Sequence, residues 1–117
     1  GTNPDTNYPN ERGPVPGNGA QLAMLQTTTG VAPLVVGKPE PWMYREAMRR
    51  MGARAETTAV IGDRLDTDIV GGVPLGLTTV LVLSGIATAE ALAHSSIKPD
   101  LVLSGIDELV RWWRELG

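Results

Sequence analysis

The stretch Ala59-Val60-Ile61-Gly62-Asp63-Arg64-Leu65-Asp66-Thr67-Asp68-Ile69 decides how the rest of the chain reads. Three apolar residues run into a glycine, and three carboxylates follow between Asp63 and Asp68. A strand that is apolar throughout, instead of alternating, suits a parallel sheet covered by helices on both faces. In such sheets ligands gather beyond the carboxyl ends of the strands, where these carboxylates stand.

Similar runs lie to either side. Leu34-Val35-Val36, Thr78-Thr79-Val80-Leu81-Val82-Leu83 and Leu101-Val102-Leu103 each precede a stretch with helical features, which reads as consecutive βα units. The fold class is α/β, and the spacing fits an open sheet as well as part of a (β/α)-barrel. One helix is expected from Ala20 to the stop at Gly30. A second carries Tyr44, Ala47, Met48 and Met51 on one face and ends at Gly52. Residues 67–75 make a poor helix interrupted by Gly71, Gly72 and Pro74, and Thr88 is placed to cap a short one through Ala93. In the last helix Ser104 and Asp107 form a start like a capping box, and Ile106, Leu109, Val110 and Trp113 make an apolar stripe that predicts a buried Trp113. Residues 1–19 hold Pro4, Pro9, Pro14 and Pro16 among glycines and read as loop. So long a structureless start is more natural as the tail of an element lying upstream, which predicts that the chain is a piece of a longer protein.

The composition narrows the chemistry. With 117 residues, 42% apolar and 20% charged, the chain has the size and make-up of one folded domain. No run of about 18 apolar residues occurs, and GTNPDTNYPN lacks the basic and apolar regions of a secretory leader. Membrane insertion and secretion by that route therefore have no support, and a cytoplasmic location is the default. There is no cysteine, and His94 is the one histidine, so thiolate and imidazole metal cages are excluded. A net charge of −3 gives no general attraction to nucleic acid or anionic membrane. Chemistry must rest on carboxylates, lysine, hydroxyls and backbone.

Lys38, one of two lysines against eight arginines, sits in the turn Gly37-Lys38-Pro39 after the first apolar run. There it is either a solvated loop residue or a cation for a phosphate. Asp63, Asp66 and Asp68 either end a strand and cap the next helix, or offer hard oxygen ligands to magnesium, which takes one or two carboxylates together with waters and substrate phosphate oxygens. Thr2-Asn3-Pro4-Asp5 is rich in turn formers and suits an Asx turn. Gly17-Asn18-Gly19 has neither a Walker lysine nor dinucleotide spacing and reads as a helix entry. His94 has no partner residue and reads as surface.

Taken in order, Thr2-Asn3-Pro4-Asp5, Gly37-Lys38-Pro39 and Gly62-Asp63-Arg64-Leu65-Asp66-Thr67-Asp68-Ile69 resemble the haloacid dehalogenase (HAD) superfamily. The nearest group is the phosphatases with an α/β cap of the second type, such as p-nitrophenyl, phosphoglycolate and pyridoxal phosphatases. The resemblance covers essentially the whole chain. It implies that residues 1–32 close a cap domain and that residues 33–117 form the C-terminal part of a Rossmann-like core. It gives Lys38 the contact to the transferring phosphoryl group, Asp63 a magnesium ligand role and Asp68 an orienting role behind it. Asn3 and Asp5 become specificity residues facing the leaving group of a small phosphorylated metabolite. The family's nucleophile motif, Asp-x-Asp-Gly-Thr, is absent from the chain, and Asp66-Thr67-Asp68, followed by Ile69-Val70 beyond its strand, cannot replace it. The resemblance thus implies a fragment of a magnesium-dependent phosphatase that works through an aspartyl-phosphate intermediate. The alternative is a non-catalytic α/β module that self-associates, as a homodimer, through a strand edge left open.

Overall fold

The computed structural model describes residues 1–116, with the backbone alone at Pro9 and Leu116; Gly117, the end of the expected core segment, lies outside the described residues. In chain order the elements are β1 (Asn7–Asn10), β2 (Gly13–Pro16), α1 (Asn18–Thr29), α2 (Trp42–Met51), β3 (Ala59–Gly62), α3 (Val70–Gly72), β4 (Thr78–Val82), α4 (Ala89–His94), β5 (Leu101–Leu103) and α5 (Ile106–Leu116).

Strands β3, β4 and β5 form one parallel sheet in that order, with Ala59 opposite Thr78 and Val80 opposite Leu101. The fold is α/β with an open sheet. Central β4 supplies both cores. On one face Leu81 packs with Ile69 and Ala87, backed by Leu65, Leu83, Leu92 and Ile97. On the other, Val80 and Val82 pack with Leu103, backed by Leu109. The all-apolar run of β4 follows from that two-sided burial, whereas β3 is an edge strand and only half-buried. At the amino end of the sheet, the Thr79 amide and hydroxyl donate to Asp100 at 2.7 and 2.8 Å, tying β4 to the entry of β5.

The poor helix over 67–75 is a chain of single turns: a wide π-type turn at Leu65–Ile69, then α3, then a tight 3-10 turn at Val73–Leu75 that ends on left-handed Gly76. Close approach explains its glycines. A Cβ on Gly71 would stand 2.6 Å from the Tyr44 ring, and one on Gly72 2.5 Å from Val60. α1 and α2 end at Gly30 and Gly52 in the left-handed conformation, and the Thr88 hydroxyl caps α4 by accepting from the Ala91 amide at 3.1 Å. His94 is exposed at the end of α4.

Several expectations need correction. Residues 1–19 are not all loop: β1 and β2 form an antiparallel hairpin. Its prolines fall on alternate pairs, Pro9 opposite Pro14 and Asn7 opposite Pro16, and alternate antiparallel pairs exchange no ladder hydrogen bonds. Leu34-Val35-Val36 joins no sheet; its partners are at Gly1, whose amino group donates to Leu34 O at 2.6 Å and whose carbonyl accepts from Val36 N at 3.0 Å. Trp113 is not buried. It is 79% exposed, because Leu109 is the residue of α5 that meets the sheet and Ile106, Val110 and Trp113 lie on its open flank. The α5 cap closes on Glu108, not Asp107: Glu108 accepts from both the amide and the hydroxyl of Ser104, which holds its carboxyl below the usual range. In α2, Met51 is exposed and the inward side is Tyr44 and Met48. No described helix is long and apolar enough to cross a membrane.

Candidate active site

An open cleft of about 340 Å³ lies beyond the carboxyl end of β3. It brings together Asn3, Asp5, Lys38, Asp63 and Asp68, the five residues singled out above, and adds Arg64. A larger cavity of about 510 Å³ at the opposite end of the sheet touches none of them.

The wide turn at Leu65–Ile69 carries Asp68 back under the end of β3, where it is buried. Its carboxylate takes the Lys38 ammonium at 2.5 Å on one oxygen and the Arg64 amide at 3.1 Å on the other. Gly62 makes the room, since a Cβ there would come within 2.5 Å of Asp68 Oδ2. The Tyr44 hydroxyl donates to the Asp68 carbonyl at 3.3 Å, and burial together with the nearby Asp68 charge raises its pKa. Lys38 is thereby pointed into the cleft by a buried counter-charge while its own side chain stays 47% exposed.

The three carboxylates of the Asp63–Asp68 loop part company. Asp63 turns toward the loop after β4: its Oδ2 accepts from the Ile86 amide at 2.9 Å and its carbonyl accepts from the Ala87 amide at 2.8 Å. Asp66 points outward and takes the Arg64 guanidinium on both oxygens, at 3.1 and 2.7 Å. Those bonds hold its carboxyl below the usual range. Neither Asp66 nor Thr67 caps the following turn through its side chain.

The Thr2–Asp5 segment forms the Asx turn its composition suggests, with the Asp5 amide donating to Asn3 Oδ1 at 3.1 Å. The start of α1 pins it, through Asn18 Nδ2 to Asn3 O at 2.7 Å and Gly19 N to Asp5 O at 2.8 Å. Asp5 then faces Arg64 across the cleft, with 3.9 Å between the charged groups.

Among the described residues no three acidic or imidazole groups converge on one point. The donor set, Asp63 with one oxygen committed to Ile86, does not make a closed cage. It does fit magnesium, which keeps several waters and takes one or two carboxylates plus substrate oxygens. Three contributors went unread in the sequence: Arg64, Tyr44 and the loop Gly85–Ala87. Arg64 stood in plain view inside the acidic motif. The loop could have been found from Ser84-Gly85, a small pair past the carboxyl end of β4 where such sheets place their sites.

A family model described as HAD-hydrolase-like matches residues 35–109. Among curated proteins, the chain is 40% identical over 112 residues to a dihydroxyacetone phosphatase of Corynebacterium glutamicum, covering 96% of this chain and 41% of that protein. It is 37% identical over 109 residues to an acid sugar phosphatase of Staphylococcus aureus, covering 93% and 42%. Among solved structures, it superposes on a p-nitrophenyl phosphatase from Archaeoglobus fulgidus with a TM-score of 0.84 at 39% identity, covering 94% of this chain and 44% of that one. The chain therefore spans about two fifths of the length of these relatives.

Proposed function

Since the chain belongs to the HAD-hydrolase-like family, and the proteins similar to it include phosphatases, we propose that it is the C-terminal part of a magnesium-dependent phosphatase acting on small phosphate monoesters. In this reading residues 1–32 close the cap and residues 33–117 belong to the core. The observation that carries it is the convergence of Lys38, Asp63 and Asp68 on one cleft past the end of β3.

Each residue then has a task its geometry suits. The Lys38 ammonium contacts the oxygens of the transferring phosphoryl group and screens their charge. Asp68 holds that ammonium in place and, being buried and doubly hydrogen-bonded, does not move to follow it. Asp63 offers its free oxygen to magnesium, and the Ile86 amide fixes the direction of that oxygen. When bound, magnesium would screen the anionic substrate from an attacking carboxylate. That carboxylate, the aspartate that becomes phosphorylated, and the acid that protonates the leaving oxygen come from the part of the protein upstream of this chain. Without them there is no positioned nucleophile, and binding groups alone do not turn over a phosphate ester.

The test compares the purified 117-residue chain with the complete protein in a p-nitrophenyl phosphate assay. The chain alone is expected to be inactive and the complete protein active with magnesium. Magnesium-dependent turnover by the chain alone, tracking with the protein peak, would overturn the reading.

A further inference from the structure

The cavity of about 510 Å³ at the amino end of the sheet has no part in the reading above. Asp100 stands on its wall at the entry of β5. Its amide donates to the Thr79 hydroxyl at 3.0 Å, and its Oδ2 takes the Thr79 amide and hydroxyl, so backbone and carboxylate are both fixed. Oδ1 accepts no hydrogen bond among the described residues and keeps its lone pairs. Lys98 lies two residues earlier, where Pro99 favours extended backbone, and lines the same cavity. Its ammonium forms no ion pair among the described residues, with Asp100 or with any other acid. A cation and an anion with free bonding capacity thus flank one cavity without neutralising each other.

A second hollow, of about 420 Å³, shares Val73 and Lys98 with the first and is lined otherwise by Val70, Pro74, Ser96 and Ile97. It is mostly apolar. Ile97 packs against the cluster of Ile69, Leu81 and Ala87, so an apolar group seated here would extend that core and leave water. Beside Val73 the chain turns on left-handed Gly76, where a Cβ would meet nothing within 4 Å, and the cavity floor stays open.

These walls select among ligands by charge. A simple anion would gain at Lys98 and lose at Asp100, and a simple cation the reverse. A molecule with both charges gains at both. Its cation must carry N–H hydrogens to satisfy Oδ1, and an apolar body must follow to fill the neighbouring hollow. We propose that the paired hollows form a binding site for an apolar α-amino acid, with its carboxylate on Lys98, its ammonium on Asp100 Oδ1 and its side chain against Val73 and Ile97. A few placed polar groups beside an apolar wall is the usual make-up of a small-molecule site. The inference goes beyond the phosphatase reading and does not depend on it, since no residue of the cleft past β3 lines either hollow.

The test is calorimetric titration of the complete protein with L-leucine and L-phenylalanine at millimolar concentrations. Saturable binding of at least one is expected, and Lys98→Gln should weaken it about tenfold or more, as when a charged hydrogen-bond partner is lost. In the unsubstituted protein, 4-methylpentanoic acid lacks the ammonium of leucine, 3-methylbutylamine lacks its carboxylate and glycine lacks its side chain; each should bind about tenfold or more weakly than L-leucine. Lys38→Ala, at the other end of the sheet, should bind L-leucine as the unsubstituted protein does. Absence of saturable binding for both amino acids, or equal binding of leucine and its three analogues, would overturn the inference. So would binding that survives Lys98→Gln and is lost in Lys38→Ala, which would place the amino acid in the catalytic cleft.

Discussion

Gly85→Ala perturbs the position of Asp63 without touching any charged residue. Gly85 does not adopt a positive φ, so alanine brings no backbone strain and the effect is steric. Its Cβ would lie 2.6 Å from Asp63 Cγ, where ordinary contact begins at 3.4 Å. Either the carboxylate swings out of its 2.9 Å bond with the Ile86 amide or the loop lifts; Asp63 Cβ and Oδ2 would lie closer still, so in both cases a displacement of about 1 Å is needed, a scale on which misplacement of reacting groups costs up to about 10²-fold in rate. Overpacking of this kind also costs about 1–3 kcal/mol of stability. The assay is p-nitrophenyl phosphate hydrolysis by the complete protein over a magnesium series, with thermal melting alongside. The expected result is a lower kcat and half-saturation at higher magnesium. Gly105→Ala is the control: its Cβ would meet Ser84 at 3.4 Å, an ordinary contact, and both rate and magnesium response should stay near wild type. A folded Gly85→Ala protein with unchanged rate and magnesium response would refute the assignment of Asp63 to the metal.

In the complete protein, Lys38→Ala and Asp63→Asn should each lower kcat/KM by ~10² or more, as when one charge-stabilising group of a preorganised site is lost, while Arg54→Ala on an exposed loop should do little; steady-state kinetics decide. The Thr79 amide and hydroxyl hold the Asp100 carboxyl below its usual range, so its contribution to stability is complete above about pH 4 and disappears as pH falls through the lower folded value. Asp100→Asn should flatten that acid limb in melting curves recorded against pH. The isolated chain should self-associate, because β3 leaves an unpaired edge and such edges template pairing with another chain; light scattering that shows a monomer at high concentration would count against it.

Much of the fold was legible because β4 is buried on both faces and advertises that burial as an unbroken apolar run. The helix stops at Gly30 and Gly52 were legible for a local reason, the left-handed conformation each supplies. The errors have physical causes as well. Proline density spoke against β1 and β2, but composition does not reveal that the prolines fall on alternate pairs. Leu34-Val35-Val36 has the content of a strand without a sheet to join. Trp113 lies on a genuine apolar stripe, yet periodicity cannot say how much of a stripe its neighbours cover. At the site, the motif spacing drew attention to residues that line one cleft, while the divergence of Asp63, Asp66 and Asp68 depends on partners 20 or more residues away, or on the arginine between them.

The surface position of the tryptophans has an optical consequence. Trp42, Trp112 and Trp113 are 48%, 41% and 79% exposed, and none of them belongs to the buried clusters on the two faces of β4. Indole emission from this chain therefore reports the outer sides of α2 and α5 and is nearly silent about the sheet. Loss of the sheet would leave its wavelength close to that of a water-exposed indole, whereas any body that settles over α2 or α5 would shift it to the blue and shield it from iodide. The residue expected at the centre of the protein serves instead as a built-in lamp on its perimeter.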